Sequence, residues 1–574
     1  MQQNFSYSKI LINLLYSVYL VNFAFLILFI YSRKSMKFLR ILLLSISILI
    51  LAVACKKQDA QVGDKVSSGS AIEVSTNDIL WQNTGSETQL FSAELLFQTK
   101  RISDIQLSPD GMSILYRLST PSIEENKLTH DLWVSSIDGT VNKQLTNTPF
   151  GEFNARWSPD GKTIAYLAGV DGAPQIYTIG YPNAGKPKQI TKEAEGVALF
   201  VYSPDGTQFL FASEVKLDQS VADIYPNLTK ANVRMYDKLP VRHWDEWTDD
   251  KYSHIFVIPT SGGTAKDLMP NEKYDSPLKP FGGPEEVEWS PENNEIAYTC
   301  KKVDDYALST YSNIYLVNIA DNSTKNITSD NKGYDKYPLY SPDGNWIAYQ
   351  SQERPGFESD KIRLMLYNRK NGETKFLSNT LDQWVEEFVW APDSKSIYFV
   401  ANDSGTVQLY SISVPDGNWK VITEGPYAYG HGLAITPDGK TLVTGRNTFV
   451  DPLDIFTVNI ADGKATQVTN TNKELYSTIK KCGVKEQWFD VSDGAKVHTW
   501  IVFPPDFDPN KKYPMITYCQ GGPQSQINPN FHYRWNLFLM ASKGYIVVAS
   551  NRRGVPGFGQ AWNDAISRDW GGRP

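Results

Sequence analysis

From about residue 91 the chain alternates apolar and polar positions over short runs, as in Thr163-Ile164-Ala165-Tyr166, Trp346-Ile347-Ala348-Tyr349 and Asn313-Ile314-Tyr315-Leu316-Val317. A period of two predicts strands with one buried face. Closing runs such as Gln144-Leu145-Thr146, Gln189-Ile190-Thr191 and Asn326-Ile327-Thr328 repeat as well. Between strands a four-residue turn recurs, beginning at Ser108, Ser158, Ser203, Ser290, Ser341, Ala391 and Thr436. Its commonest form is Ser-Pro-Asp-Gly, and the first residues are spaced 50, 45, 87, 51, 50 and 45 apart. Pro sets φ for the second turn position, Asp suits the third, and Gly tolerates the exit. A four-stranded unit at this period is the pattern of a propeller blade, so seven turns predict seven blades over 91–480. One carboxylate per turn is too few for a calcium site.

The interval of 87 marks an insertion in blade three, about Val215 to Tyr252, containing Leu239-Pro240-Val241-Arg242-His243-Trp244-Asp245-Glu246-Trp247. Long insertions in repeats serve a binding face or pack as decoration.

Beyond about Lys480 the pattern changes. Gln487–Val491 and Lys496–Phe503 read as strands around an Asp493-Gly494 turn. Tyr513–Cys519 reads as a buried strand running into Gln520-Gly521-Gly522-Pro523. A helix over about Tyr533–Lys543, a strand over Tyr545–Ala549 and the segment Asn551–Gly559 follow. Strands alternating with a helix predict an α/β sheet. The fold class expected is an all-β seven-bladed propeller followed by the N-terminal part of an α/β-hydrolase domain over 481–574.

The N-terminus bears on location. Ile10 to Tyr31 is uncharged and long enough to span a bilayer. Residues 36–54 hold a basic start, an apolar run and Ala52-Val53-Ala54 before Cys55, which resembles the signal peptide and lipobox of bacterial lipoproteins. Cys55 is then the expected lipid anchor, residues 1–35 an upstream extension with translation starting at Met36, and 55–90 a tether. Two transmembrane helices in a hairpin are the competing account. The expected place is the bacterial cell envelope, facing the periplasm or the outside.

A net charge of −7 gives no reason to expect nucleic-acid binding. The four cysteines lack CxxC spacing, so neither a zinc site nor a disulfide scaffold is expected, and no metal is assigned. Cys519, without an evident base, reads as a buried core thiol. Histidines 130, 243, 254, 431, 498 and 532 read as structural or surface residues.

A propeller followed by this α/β segment resembles the prolyl oligopeptidase family of serine peptidases. The stretches Leu239–Trp247, Gln520–Pro523 and Arg553–Gly559 are most similar to its branch of dipeptidyl-peptidase 5 and acylaminoacyl peptidases. The resemblance implies Ser-His-Asp acyl transfer beneath a propeller lid, no cofactor, peptide substrates, and a dimer of the full-length protein. The family's nucleophile lies in a Gly-x-Ser-x-Gly elbow. No such elbow occurs in these 574 residues, so no triad is assigned within them. The resemblance implies that the triad lies beyond Pro574, and this chain alone is expected to be inactive. The loop Gln520, Gly521, Gly522 aligns with the oxyanion side of the family's site, where relatives carry Tyr at the position of Gln520. Asp245 and Glu246 are candidates to hold a substrate's free amine, with plain surface charge as the other reading. The function expected is the N-terminal portion of a lipid-anchored serine exopeptidase releasing dipeptides. The alternative is a non-catalytic propeller lipoprotein that binds peptides or partner proteins.

Overall fold

The computed structural model describes residues 78–80, 83, 87–522 and 524–572. Cys55, the signal peptide and the first apolar segment lie outside the described residues. So does Pro574, and with it the triad expected beyond that residue. Seven antiparallel sheets of four strands each follow one another at 101–144, 153–189, 199–267, 287–326, 334–376, 388–421 and 428–467. They are the seven blades.

Each turn joins the first two strands of its blade. In blade one Gly111 N donates to Ser108 O at 2.9 Å. Asp110 Oδ1 accepts from Ser108 Oγ at 2.6 Å and Met112 N at 2.9 Å, and Ser108 Oγ accepts from Ser113 N at 2.8 Å. The same bonds recur at Ser158, Ser203 and Ser341. The motif is therefore a self-bonded corner in which Ser and Asp satisfy the backbone where the chain reverses.

Ring closure uses side chains. Blades six and seven are linked by one parallel pair, Val407 with Ala428. Blades one and seven exchange no strand, and instead share a core of Ile102, Ile105 and Tyr116 with Val443, Leu453 and Ile455. Gly111, at φ +73°, lies over Pro437, where a Cβ would sit 2.6 Å from the ring Cδ. A side chain there would push the two blades apart.

The blade-three insertion is bounded by Gln208–Lys216 and Lys251–Pro259, which pair in full register. The inserted residues are thus 217–250, slightly fewer than the pattern suggested.

The remaining chain builds an α/β portion: β1 (Val484–Asp490), β2 (Lys496–Val502), β3 (Met515–Tyr518), α1 (Leu537–Ser542), β4 (Ile546–Ser550) and α2 (Gln560–Asp564). Strand order is β1-β2-β4-β3, with only β4 and β3 parallel. Two expectations need correction. The strand expected to be buried at 513–519 is shorter and lies at the sheet's edge, with Met515 63% exposed. The helix begins at Leu537, because His532 Nδ1 accepts from Arg534 N and Trp535 N in a turn, and Asn536 Oδ1 caps Leu539 N at 2.7 Å.

The tether expected to reach residue 90 ends sooner. Leu80 bridges Val484, and Gln89–Leu90 pairs in parallel with Ile479–Lys480. Phe91 stacks on Phe538 at 4.5 Å inside a core that also holds Tyr476, Trp500, Phe531 and Val547. Apolar burial thus draws the segment before the propeller into the α/β portion. Among the described residues no helix is long and apolar enough to cross a membrane, and no group of three His, Cys, Asp or Glu is placed to hold a metal.

Candidate functional site

In an open α/β sheet, ligands bind beyond the carboxyl ends of the parallel strands. Here β3 and β4 are that pair, and the residues following them are Gln520–Gly522 and Asn551–Gly559. The two loops meet: Arg552 Nη2 donates to Gln520 O at 2.6 Å. The second loop is held from behind by Trp562 Nε1 on Arg552 O at 3.0 Å and by Arg553 on Asp493 at 2.7 Å.

Gln520 is half-buried, and its side-chain amide donates to Ser525 Oγ. Gly521 and Gly522 are exposed. A Cβ at Gly521 would meet nothing within 4 Å, while the Gln520 amide is engaged within the loop itself. Cys519 is exposed, not a buried core thiol: it follows an edge strand, whose alternate residues face solvent.

Blade six docks on the loops that follow β3 and β4 and on β2. Its hairpin tip puts Gly405 N on Gln526 Oε1 at 3.1 Å and Gly405 O on Trp500 Nε1 at 3.0 Å. Ser404 N donates to Gly557 O at 2.8 Å. Gln526, buried six residues beyond Gln520, also donates to Asn402 Oδ1 at 2.6 Å and Thr406 O at 2.5 Å. Asn402 in turn donates to Glu386. Arg354 of blade five clasps Asp564 of α2 through both terminal nitrogens, at 3.0 and 2.8 Å. Sequence reasoning did not single out Gln526, Gly405 or Arg354. Their partners lie more than a hundred residues away, and nothing local marks a buried amide or a docking glycine.

Asn551, fully buried, accepts from Ile527 N at 2.7 Å, donates to Ile527 O at 2.8 Å, and its amide lies 3.0 Å from His498 Nδ1. His498 Nε2 is 3.4 Å from Glu486, whose carboxyl the imidazole holds below its usual range. His498 is therefore a support under the loops. His254 is likewise buried, with Nε2 donating to Glu272 O at 2.7 Å and Nδ1 3.0 Å from Asp267. Burial opposes charge on His254, and Asp267 overcomes it, raising the pKa above the usual histidine value.

Asp245 and Glu246 sit on a small exposed hairpin in which Arg242–His243 pairs with Glu246–Trp247. Glu246 borders a cavity of about 470 Å³ walled by blades one to three and the 277–284 segment. That cavity carries both signs of charge, with Arg156 paired to Asp104 at 2.8 Å and Lys279 to Glu214 at 2.5 Å. Among the described residues no hydrogen bond or ion pair joins this hairpin to the Gln520 loop. The α/β portion bonds to blades five, six and seven, on other parts of the ring.

Comparison with known proteins accords with this architecture. Residues 288–480 match the TolB beta propeller domain and residues 531–574 the prolyl oligopeptidase family. Dipeptidyl-peptidase 5 of Porphyromonas gingivalis is 38% identical over 515 residues, spanning 89% of this chain and 75% of that protein. The Porphyromonas endodontalis protein of the same name is 36% identical over 495 residues, spanning 85% and 71%. Among solved structures, an acylaminoacyl peptidase in complex with Z-Gly-Gly-Phe-chloromethyl ketone superposes with a TM-score of 0.67 at 20% identity, over 84% of this chain and 70% of that one. That likeness speaks for the fold alone. Propeller, interrupted blade three, capped α/β sheet and extended identity through both portions together mean that this chain belongs to the prolyl oligopeptidase family of serine peptidases.

Proposed function

We propose that this chain forms the larger part of a lipid-anchored serine exopeptidase of the bacterial envelope, which releases dipeptides from peptide N-termini. The observation carrying the reading is the 38% identity to a dipeptidyl-peptidase 5, which runs through propeller and α/β portion alike. In the reaction a serine of the full-length protein attacks the scissile carbonyl. A histidine takes its proton and returns it to the leaving amine, and water then releases the acyl group. The contribution assigned to this chain is the oxyanion side. With the Gln520 amide turned to Ser525, the donor falls to backbone N–H groups of the Gln520–Gly522 loop, held by Arg552. Loss of one such donor costs about 2.7–4 kcal/mol of transition-state stabilisation. Glu246 is proposed to hold the substrate ammonium at the rim of its cavity.

The test is fluorophosphonate labelling of the full-length protein from membranes, with release of dipeptides from free and N-acetylated peptides. Labelling, with cleavage of free N-termini that Glu246→Gln weakens, is the expected result. A 574-residue chain alone takes no label under this reading. An unlabelled full-length protein that still binds peptides would replace it with the non-catalytic propeller. Cys55→Ala is expected to move the protein from the membrane to the soluble fraction, and an unchanged distribution would remove the lipid anchor.

A further inference from the structure

A second cavity, of about 500 Å³, opens at the seam between the propeller and the α/β portion. The propeller contributes Arg101, His431 and Asn447, and the α/β portion contributes Asn530, His532 and Arg534. Among the described residues no aspartate or glutamate lines it. Arg101 and Arg534 are cationic, and neither takes part in an ion pair among the described residues. The 470 Å³ cavity beside Glu246 differs in this respect, since carboxylates line it and two of its three cations, Arg156 and Lys279, are paired with them.

The donors are unspent. Arg101 lies with its guanidinium 4.2 Å from the centre of the Tyr533 ring, and its buried Nε has no hydrogen-bond partner. His532 Nδ1 accepts from two backbone N–H groups, at 3.0 and 2.8 Å, so the ring proton sits on Nε2 and is a donor. Burial and Arg534 lower the His532 pKa, which keeps the ring in that neutral tautomer. One acceptor is unspent too. Asn447 is 3% exposed and donates to Asn530 Oδ1 at 3.0 Å, while its own Oδ1 has no partner. A buried acceptor left without a partner is destabilising, so a ligand that donates to it is favoured over one that cannot. Asp454, the nearby carboxylate, is committed to Thr469 Oγ1 at 2.7 Å and Thr471 N at 3.1 Å.

Cationic donors, one isolated acceptor and an apolar wall of Ile102, Leu453 and Phe531 select a particular ligand. A bare inorganic anion would leave Asn447 Oδ1 unsatisfied. We propose that this cavity binds the free carboxylate end of a short peptide. The carboxylate lies between Arg101 and Arg534, the last amide N–H meets Asn447 Oδ1, and the terminal side chain covers the apolar wall. Because its partners come from both portions, such a ligand fastens propeller to α/β sheet at this seam. The site is separate from the Gln520 loop and needs no bond to be cleaved.

The experiment is calorimetric titration of the full-length protein with N-acetyl-alanyl-leucine, with its C-terminal amide, and with inorganic phosphate. The expected result is binding of the acid at least about tenfold tighter than of the amide or phosphate. Arg101→Gln is expected to remove about that tenfold preference, and Arg534→Gln, an exposed change that leaves the fold intact, at least about threefold of it. Equal affinity for acid and amide overturns the proposal, as does an acid affinity unchanged in Arg534→Gln. Phosphate bound as tightly as the acid peptide overturns it in favour of a simple anion site. Heat of binding is read without hydrolysis, so an inactive serine centre would leave the outcome unaffected.

Discussion

Gly405, at the tip of a blade-six hairpin, lies directly against the imidazole of His498 on β2. A Cβ on Gly405 would fall 2.2 Å from His498 Cε1, and the residue sits at φ +87°. Its N–H and carbonyl are both spent on the α/β portion, through Gln526 and Trp500. The propeller is thus keyed to the hydrolase sheet by a position where only glycine fits.

Gly405→Ala should therefore destabilise the docked state by about 2–4 kcal/mol, from left-handed backbone strain together with overpacking. Gly494→Ala is the matched control, at φ +84° with open space around it, and should cost about 1 kcal/mol. Thermal unfolding of the two variants side by side measures the difference. Equal midpoints would show that the contact at His498 yields freely.

Arg354 and Asp564 form the two-pronged clasp between blade five and α2, while Arg354 also reaches Asp360 at 2.7 Å. Arg354 is 43% exposed at its side chain, so solvent screens the pair. A double-mutant cycle on Arg354→Ala and Asp564→Ala should give a coupling of about 1 kcal/mol that shrinks in high salt. Arg354→Lys should lose most of it, because an ammonium cannot span both oxygens.

The pH dependence of stability follows from two opposed sets of carboxyls. Burial pushes Glu286 up to about 7 and Asp335 and Asp454 up to about 6. Their unfolded values are about 4. A raised folded value means the native state binds the proton more tightly, so this contribution is whole below about pH 4 and is lost as pH rises through 6–7. The turn residues Asp110, Asp160 and Asp438 run the other way. The neighbouring hydroxyl holds each below its usual range, and their contribution is lost as pH falls below about 4. The unfolding midpoint should accordingly peak between about pH 4 and 6 and decline towards pH 8. A midpoint at pH 8 equal to that at pH 5.5 would contradict the assignment.

The edge strand β3 pairs on one side only, and Met515 and Thr517 face solvent from it. A protein of residues 56–574 should self-associate through this edge, since unpaired strand edges recruit one another. Thr517→Lys should reduce that association, as read by light scattering. A monodisperse monomer of the unmodified 56–574 chain would count against the prediction.

Much of this architecture is legible in the chain because blades are local objects. Ser158, Pro159, Asp160 and Gly161 make their hydrogen bonds within six residues, so the turn announces itself wherever it occurs. The α/β portion is legible in outline, yet β3 reads as buried because Met515-Ile516-Thr517-Tyr518 has the composition of a central strand. Which neighbour a strand lacks is a tertiary fact. The site divides the same way. Gln520 stands out from its motif, but its partner Arg552 does not, and Gln526 is one amide among many until Gly405 and Asn402 close upon it. Asp245 and Glu246 attract notice by charge, but charge carries no address. Only the fold shows Glu246 at the rim of a cavity on blade three.

The parallel pairing of Gln89–Leu90 with Ile479–Lys480 places the chain's way into the ring beside its way out. Neighbouring strands lie about 4.8 Å apart, so the whole propeller hangs from two points one strand-spacing from each other. Topologically it is a guest inserted between the segment ending at Phe91 and the α/β portion, which share one core. A few linking residues could join Leu90 to Ile479 and leave the host's backbone path unbroken. The propeller is therefore detachable in principle, a module whose removal leaves the path of the α/β sheet unbroken.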